Sequence, residues 1–328
     1  MRGAIIRGPL IPAVLTPFAS DGSLALSQVE QQAALLHADG VRAVFVGGTT
    51  GEFSSLTLEE RMALAERWLR VGREMGWTVL IHVGAIDALK RIGERDGVLA
   101  IGAAAPLEDA WAALAQRIPA LTDVWLRFAS PPVRHAGTMG GNVANGSPIG
   151  DSAPMLIAAG ATLVLRRGEA RRRLPLEDFF LGYGQQDRRP DELLEAVTVP
   201  RRRPEQRFRA YKISKRFDQD ISAVLGAFAI TLDGGTVREA RIAYGGMAAI
   251  PKRAMAAEAA LRGRAWDEAA VRAAMAALGE DFTPITDMRA SAGYRLQVAR
   301  NLLLKAWLET TDPQAETRLV GDRSLAHV

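Results

Sequence analysis

The chain has 328 residues, of which 48% are hydrophobic and 24% charged, so it is long enough for two or three globular domains. It contains no cysteine, which excludes disulfides, thiolate catalysis and cysteine-ligated iron–sulfur clusters within the chain. The net charge of +4 and the pI near 9.7 reflect short arginine clusters beside turn residues, not interleaved with aromatic side chains, which argues against nucleic-acid binding.

Short apolar runs alternate with amphipathic segments through the first 84 residues, a pattern that predicts an α/β fold. A Thr57-x-x-Glu60 capping box indicates where the second of two helices begins. Because the connections are helical, the strands are expected to pair in parallel as a partial TIM-barrel-like βαβαβ segment. The predicted elements are strands over residues 11–18, 43–47 and 78–83 and helices over residues 27–38 and 56–75.

After residue 86 the pattern becomes that of an α+β protein. The turn sequence Asp233-Gly-Gly predicts a hairpin between strands 223–232 and 236–244. The other predicted elements are strands over residues 99–103, 162–165 and 193–199 and helices over residues 107–115, 153–159, 253–261, 266–278 and 291–308. We therefore expect domains over residues 1–85, 86–206 and 207–311, followed by a polar tail over residues 312–328.

Residues 137–151 form the most distinctive segment. Five glycines, two asparagines and two hydroxyl side chains precede a closing aspartate within fifteen positions. Because glycine lacks a Cβ and adopts positive φ, several backbone N–H groups of such a loop can converge on one anion. Thr138, Asn142, Asn145 and Ser147 add neutral donors. The segment predicts a phosphate- or pyrophosphate-binding loop, with a polar surface loop as the alternative.

Further motifs accompany this segment in order along the chain. They are Ile86-Asp-Ala-Leu-Lys-Arg-Ile, Ile101-Gly-Ala-Ala, Leu176-Glu-Asp-Phe-Phe-Leu-Gly-Tyr, Tyr211-Lys-Ile-Ser-Lys-Arg-Phe-Asp-Gln-Asp, Ala243-Tyr-Gly-Gly-Met and Asp287-Met-Arg-Ala-Ser. With them, residues 86 to about 309 resemble the FAD-binding flavoprotein part of molybdenum hydroxylases. Within that family the chain is most similar to the small subunit of bacterial xanthine dehydrogenase.

The resemblance implies an FAD-binding α+β region, a C-terminal flavoprotein-type α+β domain and FAD as the cofactor. The cofactor-binding residues it implies are Phe128, Ala129, Gly137, Thr138, Gly140, Gly141, Asn142, Asn145, Asp151, Leu193, Leu194 and Lys212. Without the resemblance, Phe128 and the two leucines suit a plain core, Asp151 suits a helix cap, and Lys212 suits a solvent-facing strand position.

The function implied by the resemblance is electron transfer. FAD carries the redox chemistry, while the protein supplies binding, orientation and solvent control. The chain is thus expected to be an FAD-dependent, xanthine dehydrogenase-like oxidoreductase subunit that passes electrons from substrate-side centres to NAD. Its expected partners are a molybdenum-cofactor subunit and an iron–sulfur domain or subunit, without which no purine is hydroxylated. No catalytic residue and no metal site is assigned within the chain, because no two of its four histidines have metal-ligand spacing.

The first block carries other motifs, among them Pro12-Ala-Val-Leu-Thr-Pro-Phe18, Gly48-Thr-Thr-Gly-Glu52 and Val79-Leu-Ile-His-Val-Gly84. Residues 9–84 resemble the first three strands of the dihydrodipicolinate synthase and N-acetylneuraminate lyase family, whose barrel has eight. That family needs a Schiff-base lysine and a tyrosine, but Lys90 is the only lysine before residue 200 and Tyr183 is the first tyrosine. A lyase-type aldolase is therefore an alternative whose catalytic residues are absent.

The lyase-like block occupies the place of a flavoprotein subdomain whose Gly-Gly-Thr-Asp-type loop contacts the FAD pyrophosphate. Gly47, Gly48, Thr49 and Thr50 resemble that loop in outline and are further candidate FAD contacts. The alternative is a chimera whose two halves do not cooperate, a fusion without function. No apolar run approaches the roughly 18 residues that span a bilayer, and the N-terminus lacks a signal-peptide segment, so we expect a cytoplasmic protein without membrane partners.

Overall fold

The computed structural model describes residues 10–52, 55–81, 83–84, 86–312 and 314–317. The chain divides into two compact units, Met1–Asp87 and Ala88–Val328. Buried apolar side chains form one core cluster in the first unit and two in the second. Within the described residues, no helix is both long and apolar enough to cross a membrane.

Two helices and a short parallel sheet make up the first unit. Its elements are α1 (Val29–Ala38), β1 (Ala43–Val46), α2 (Leu58–Glu74) and β2 (Thr78–Ile81). β1 and β2 pair in parallel, starting with Ala43 opposite Thr78. The backbone N–H of Glu60 donates to Thr57 Oγ1, and the Thr57 N–H donates to the Glu60 carboxylate. The predicted capping box therefore does begin α2.

The predicted strand over residues 11–18 is wrong. In this stretch Ala13 makes a single parallel bridge to Phe45, while Phe18 bridges Leu24 locally. Pro12 and Pro17 lack the N–H groups that a continuous ladder needs, which confines the pairing to one point. Among the described residues the first unit thus contains a two-stranded sheet, and the TIM-barrel part of the prediction is not confirmed.

A five-stranded antiparallel sheet organises the first part of the second unit. Its strands are β3 (Ile92–Arg95), β4 (Val98–Gly102), β5 (Thr162–Arg167), β6 (Ala170–Pro175) and β9 (Leu193–Pro200), in the order β3-β4-β9-β5-β6. A separate hairpin consists of β7 (Phe180–Gly182) and β8 (Gln185–Gln186). The three strands predicted here are confirmed within two residues as β4, β5 and β9, which are neighbours in the sheet.

Short helices cover this sheet. They are α3 (Asp87–Lys90), α4 (Leu107–Arg117), α5 (Thr122–Arg127), α6 (Pro131–Ala136), α7 (Met139–Ala144), α8 (Ser152–Ala158) and α9 (Leu176–Phe179). The predicted helices 107–115 and 153–159 correspond to α4 and α8. The core between helices and sheet includes Trp111, Met139, Ile157 and Leu163, each at most 1% exposed.

A second antiparallel sheet follows, in the order β10-β11-β12-β13, with three further helices. Its elements are β10 (Gln206–Ile213), β11 (Val224–Asp233), β12 (Thr236–Gly245), β13 (Lys252–Arg253), α10 (Met255–Leu261), α11 (Glu268–Asp281) and α12 (Ala292–Thr311). Gly234 and Gly235 both have positive φ in the turn between β11 and β12, as the predicted hairpin requires. The three predicted helices are also confirmed.

β11 lies between two cores. Leu225, Ala227 and Ala229 belong to the core shared with the five-stranded sheet. The alternate residues Val224, Phe228 and Ile230 belong to the core formed with α10, α11 and α12. Because successive strand residues face opposite sides, burial on both faces explains why this strand is apolar throughout. Residues 313 and 318–328 of the predicted tail lie outside the described residues, and the predicted domain limits stay a prediction.

Candidate functional site

The glycine-rich segment is not an open loop. Thr138 caps a short helix, α7, by accepting a hydrogen bond from the backbone N–H of Gly141 at 3.1 Å. Gly146 ends the turn after α7 with φ +62°, and it is the glycine of this segment with positive φ. The sequence therefore uses its glycines mainly for something other than left-handed backbone.

Close packing explains Gly140. A Cβ at this position would lie 2.5 Å from Ala103 Cβ and 2.7 Å from Ala103 O, directly after β4. Only glycine lets α7 approach the end of the sheet this closely. The Gly140 N–H donates to Ala103 O, and Ala103 N donates to Glu195 O of β9, so the segment is fixed to two strands.

The expectation that backbone N–H groups of this segment converge on an anion is wrong for α7. The amides of Met139, Gly140, Gly141 and Asn142 donate to Ala105 O, Ala103 O, Thr138 Oγ1 and Thr138 O, respectively. All four N–H groups are therefore paired within the protein, and those of Met139 and Gly140 must be, because these two residues are buried. An anion at this site must be held by side chains and by the remaining amides.

Three side chains of the segment keep donors for a ligand. The side-chain amides of Asn142 and Asn145 have no hydrogen-bond partner within the part of the chain that the structure describes. Thr138 Oγ1 accepts one hydrogen bond as the helix cap, so its own O–H proton is left to donate. These groups form a neutral donor set on one short helix and its cap.

A buried ion pair closes the segment. Lys212 Nζ lies 2.5 Å from Asp151 Oδ2, and the two side chains are 2% and 3% exposed. The other carboxylate oxygen, Oδ1, accepts a hydrogen bond from Ser222 Oγ at 2.5 Å. Asp151 therefore has both oxygens satisfied, which a buried carboxylate requires. The alternative of a solvent-facing Lys212 is wrong, since β10 turns this side chain inward.

Ser222 is a residue that sequence reasoning missed. β10 ends at Ile213 and β11 begins at Val224, so the connection between them brings Ser222 back toward Lys212. The backbone of the same connection is held by Arg127, whose guanidinium donates to Lys212 O at 3.0 Å and Phe217 O at 2.7 Å. A polar residue just before a long apolar strand was the available signal for Ser222.

Phe128 and Ala129 form a turn beside the ion pair. Lys212 Nζ lies 5.9 Å from the centre of the Phe128 ring, and the Trp111 ring packs against Phe128 at 5.7 Å. Ala129 has φ +47°, a left-handed conformation that costs a non-glycine residue about 1–2 kcal/mol. A strained turn held next to a buried charge is typical of a functional site.

The two leucines divide between core and surface. Leu194 is 5% exposed and its side chain lies in the core of the five-stranded sheet. Leu193 is 45% exposed and presents its side chain outward. Of this predicted pair, Leu193 is thus the one that has apolar surface to offer a ligand.

The four candidate residues of the first unit lie between β1 and α2. Gly47 has φ +71°, and Thr49 and Thr50 begin a 3-10 turn that ends at Gly51. A Cβ on Gly48 would lie 2.6 Å from the Phe45 ring. The side chain of Thr49 is outside what the structure describes. The role of these four residues in FAD binding stays a prediction.

The chemistry of the second-unit site fits FAD. Lys212 Nζ has three N–H donors, and Asp151 is its hydrogen-bond partner within the described residues, so a buried ammonium retains donors for a ligand carbonyl. Phe128 is a half-buried aromatic surface beside it. Neutral amide and hydroxyl donors suit a pyrophosphate and polyol chain. When bound, FAD supplies the electron-transfer chemistry.

Three family models match the chain. The FAD binding domain in molybdopterin dehydrogenase matches residues 68–202, and the CO dehydrogenase flavoprotein C-terminal domain matches residues 209–310. The dihydrodipicolinate synthetase family matches residues 7–93. Both resemblances inferred from the sequence are confirmed, and so is FAD as the cofactor.

Relatives point the same way. The carbon monoxide dehydrogenase medium chain of Hydrogenophaga pseudoflava is 30% identical over 69% of this chain and 79% of that protein. The nicotinate hydroxylase of Emericella nidulans is 32% identical over 70% of this chain but only 19% of that protein. The chain likewise spans only 16% of a xanthine dehydrogenase from the same organism.

A solved structure is similar in fold. A chain of carbon monoxide dehydrogenase from Hydrogenophaga pseudoflava, in a form that lacks the Mo-pyranopterin moiety, aligns with a TM-score of 0.69 at 27% identity. The alignment covers 93% of this chain and 99% of that one. The mixed α/β architecture is therefore that of the carbon monoxide dehydrogenase flavoprotein.

Proposed function

Because the chain belongs to the family of FAD-binding medium subunits of molybdenum hydroxylases, we propose that it is the flavin subunit of a xanthine dehydrogenase-like complex. In this role it takes electrons from the substrate-side centres of partner subunits and passes them to NAD. The partners we propose are a molybdenum-cofactor subunit and an iron–sulfur domain or subunit, because this chain has no cysteine to hold a cluster.

The observation that carries the proposal is the buried Asp151–Lys212 pair beside Phe128. A lysine and an aspartate that are almost fully buried carry a desolvation cost, so their presence next to an aromatic turn favours a role in binding. Lys212 places a positive charge where electron density on a bound ring would be stabilised. Asp151 and Ser222 fix the position of that charge.

The remaining site residues bind the cofactor and orient it. Thr138, Asn142 and Asn145 donate hydrogen bonds to the polar chain of the cofactor, while Phe128 and Leu193 cover apolar surface and exclude water. Gly140 allows α7 to pack against the end of β4, and Gly137 allows the segment to pack against Leu107 of α4, which fixes these donors. Gly47, Gly48, Thr49 and Thr50 are proposed as additional FAD contacts from the first unit.

FAD titration of the purified chain tests binding. We expect saturable quenching of flavin fluorescence with one FAD per chain, because the described residues of the second unit form one such site. Replacing Asn142 and Asn145 together by alanine should weaken binding by about tenfold or more, since each lost hydrogen bond contributes about 0.5–1.5 kcal/mol. Asn301→Ala, which removes an exposed amide from α12, is the matched control. Absence of bound flavin at saturating FAD would refute the proposal.

Reconstitution tests the electron acceptor. When the FAD-loaded protein is reduced with dithionite, the excess removed and NAD added, NADH absorbance at 340 nm should rise as the flavin is reoxidised. Each reduced flavin gives two electrons and a proton to one NAD. If oxygen or a dye is reduced but NAD is not, the flavin assignment stands and the proposed acceptor is wrong.

A further inference from the structure

The left-handed turn at Ala129 is held by a buried arginine. Arg134, on α6, is 5% exposed. Its Nη1 donates to Phe128 O at 2.8 Å and to Ala129 O at 3.3 Å. One guanidinium nitrogen therefore holds both carbonyl groups of the turn. Because charged donors make the stronger hydrogen bonds, this contact opposes relaxation of the strained backbone.

Glu108 holds the other side of the guanidinium. Arg134 Nε donates to Glu108 Oε2, which also accepts a longer hydrogen bond of 3.4 Å from Trp125 Nε1. Partial burial by itself would raise the pKa of Glu108, but the hydrogen bond and the positive charge of Arg134 lower it below its usual value. Glu108 is thus a carboxylate at neutral pH and neutralises Arg134.

The same end of α4 also holds the glycine-rich segment. Leu107, next to Glu108, donates its N–H to Gly137 O at 2.9 Å, and Pro106 bridges Thr138. One helix terminus therefore connects the two parts of the site: the aromatic turn through Glu108 and Arg134, and the α7 donors through Leu107. Movement of this terminus would displace both.

We propose that Arg134 and Glu108 are positioning residues that fix the Phe128–Ala129 turn against bound FAD. This inference rests on the proposed function, since the turn matters only if FAD lies beside it. Neither residue touches the cofactor in this proposal. They act through the two carbonyl groups and so set the orientation of the Phe128 ring.

The experiment compares Arg134→Met and Glu108→Gln with the parent protein. We expect Arg134→Met to weaken FAD binding by about ten- to a hundredfold, because both carbonyl contacts are lost. The visible circular dichroism of the bound flavin should change as well, since the aromatic surroundings of the ring shift. Glu108→Gln should have a smaller effect of the same kind. The double variant should resemble Arg134→Met alone, because the two residues act as one unit.

Arg241→Met is the matched control. Arg241 is half-buried in the second unit and, like Arg134, donates both to a carbonyl, Ile157 O, and to a carboxylate, that of Glu177. It should lower the melting temperature but leave FAD affinity and the flavin spectrum unchanged. This control separates loss of stability from loss of positioning.

The outcomes distinguish the two proposals. If the parent protein binds no FAD, the proposed function fails and the positioning role fails with it. If the parent binds FAD and Arg134→Met binds it with equal affinity and spectrum, only the positioning role is refuted. If Arg134→Met does not fold, Arg134→Lys replaces it in the experiment. Lysine keeps the positive charge but lacks the planar guanidinium group that donates through both Nε and Nη1. Unchanged FAD affinity and an unchanged flavin spectrum in Arg134→Lys would then refute the proposal.

Discussion

The two units differ in how much of their polar chemistry is buried. In the first unit, β1 and β2 pair over four residues each, and the ion pairs of Glu30 with Arg67 and Arg70 are partly exposed. In the second unit, β10 and β11 pair over eight positions, and the Asp151–Lys212 pair is almost fully buried. A buried charge is kept in place only by a surrounding core, which the second unit provides.

Two glycine-rich segments, one in each unit, have different structural surroundings. Both units contain a glycine-rich segment that includes threonine, at residues 47–51 after β1 and at residues 137–151 after α6. In the second unit this segment is fixed to two strands and lies beside buried charge. In the first it is a single 3-10 turn next to a two-stranded sheet. The same residue types thus stand in a buried, strand-anchored setting in one unit and in a short turn in the other.

The largest expected loss of unfolding free energy comes from breaking the buried Asp151–Lys212 pair. Lys212→Met leaves the Asp151 carboxylate buried without its counterion and should cost about 3–5 kcal/mol of unfolding free energy. Arg70→Met in the first unit removes a partner of Glu30 that is 55% exposed and should cost less than about 1 kcal/mol. Urea unfolding followed by circular dichroism measures both. Equal losses would remove the distinction between the units.

The next largest expected effect is a dependence of the unfolding free energy on pH. The bidentate hydrogen bond from Arg172 lowers the pKa of Glu192 in the second unit to about 2, from a usual value of 4.5. Because the folded-state pKa is lowered, the resulting stability is present above pH 4.5 and is lost as the pH falls toward 2. The contribution of the Glu192 carboxylate to the unfolding free energy is at most about 3 kcal/mol.

Glu192→Gln removes this dependence. The difference in unfolding free energy between the parent and Glu192→Gln should therefore shrink steadily between pH 4.5 and pH 2. Glu30→Gln is the first-unit counterpart and should show a weaker pH dependence, because Glu30 is 39% exposed and its ion pairs are screened by water. A pH-independent difference for Glu192→Gln would show that the Arg172 pair contributes nothing to folding.

A smaller difference in stability is expected between alanine substitutions in the two glycine-rich segments. Gly140→Ala should cost about 1–3 kcal/mol, because the new Cβ meets the backbone of Ala103, which cannot move without distorting β4. Gly48→Ala should cost less than about 1 kcal/mol, since the new Cβ meets the end of the Phe45 ring, which can rotate away. Thermal unfolding of both variants measures the difference. If Gly48→Ala proved the more damaging, the first-unit turn would be the more tightly built.

The smallest effect compares helix caps. Thr57→Ala should lower the stability of α2 by about 1 kcal/mol, and Ser291→Ala that of α12 by a similar or smaller amount. Thr57 belongs to a reciprocal capping box, so its loss also frees the Glu60 carboxylate. Hydrogen exchange of the Glu60 and Tyr294 amides reports each cap. A larger increase in the exchange rate of the Tyr294 amide in Ser291→Ala than of the Glu60 amide in Thr57→Ala would contradict this ranking.

Much of the fold could be predicted from periodicity and turn residues. The hairpin at Asp233-Gly-Gly, the capping box at Thr57 and the long helices agree with the structure because these are local preferences. The strand over residues 11–18 could not be placed correctly by hydrophobicity, because Pro12 and Pro17 interrupt its hydrogen bonding. The short helices α5 and α6 do not follow from periodicity, because each has six residues and its buried contacts, those of Val124 in α5 and of Arg134 in α6, depend on residues elsewhere in the chain.

The candidate site was predicted less completely. The family resemblance predicts Asp151 and Lys212 as site residues although they are 61 positions apart, and in the structure Lys212 Nζ lies 2.5 Å from Asp151 Oδ2. Ser222, Arg134 and Glu108 were missed, because nothing local in the sequence marks a residue that acts on a distant carbonyl or carboxylate. Among the glycines of residues 137–151, Gly140 serves close packing and Gly146 has the positive φ that the sequence predicts, while their role in FAD binding stays a prediction.

The sequence by itself determined that the chain resembles two protein families, that FAD is the cofactor and that no cluster-binding cysteine is present. These conclusions rest on the residue types and on their order along the chain. Only the tertiary structure decided that Gly140 serves close packing, that Lys212 is buried, and that Arg134 holds the Phe128–Ala129 turn. The physical reason is that burial and hydrogen-bond partners depend on residues far apart in sequence, which only the folded core brings together.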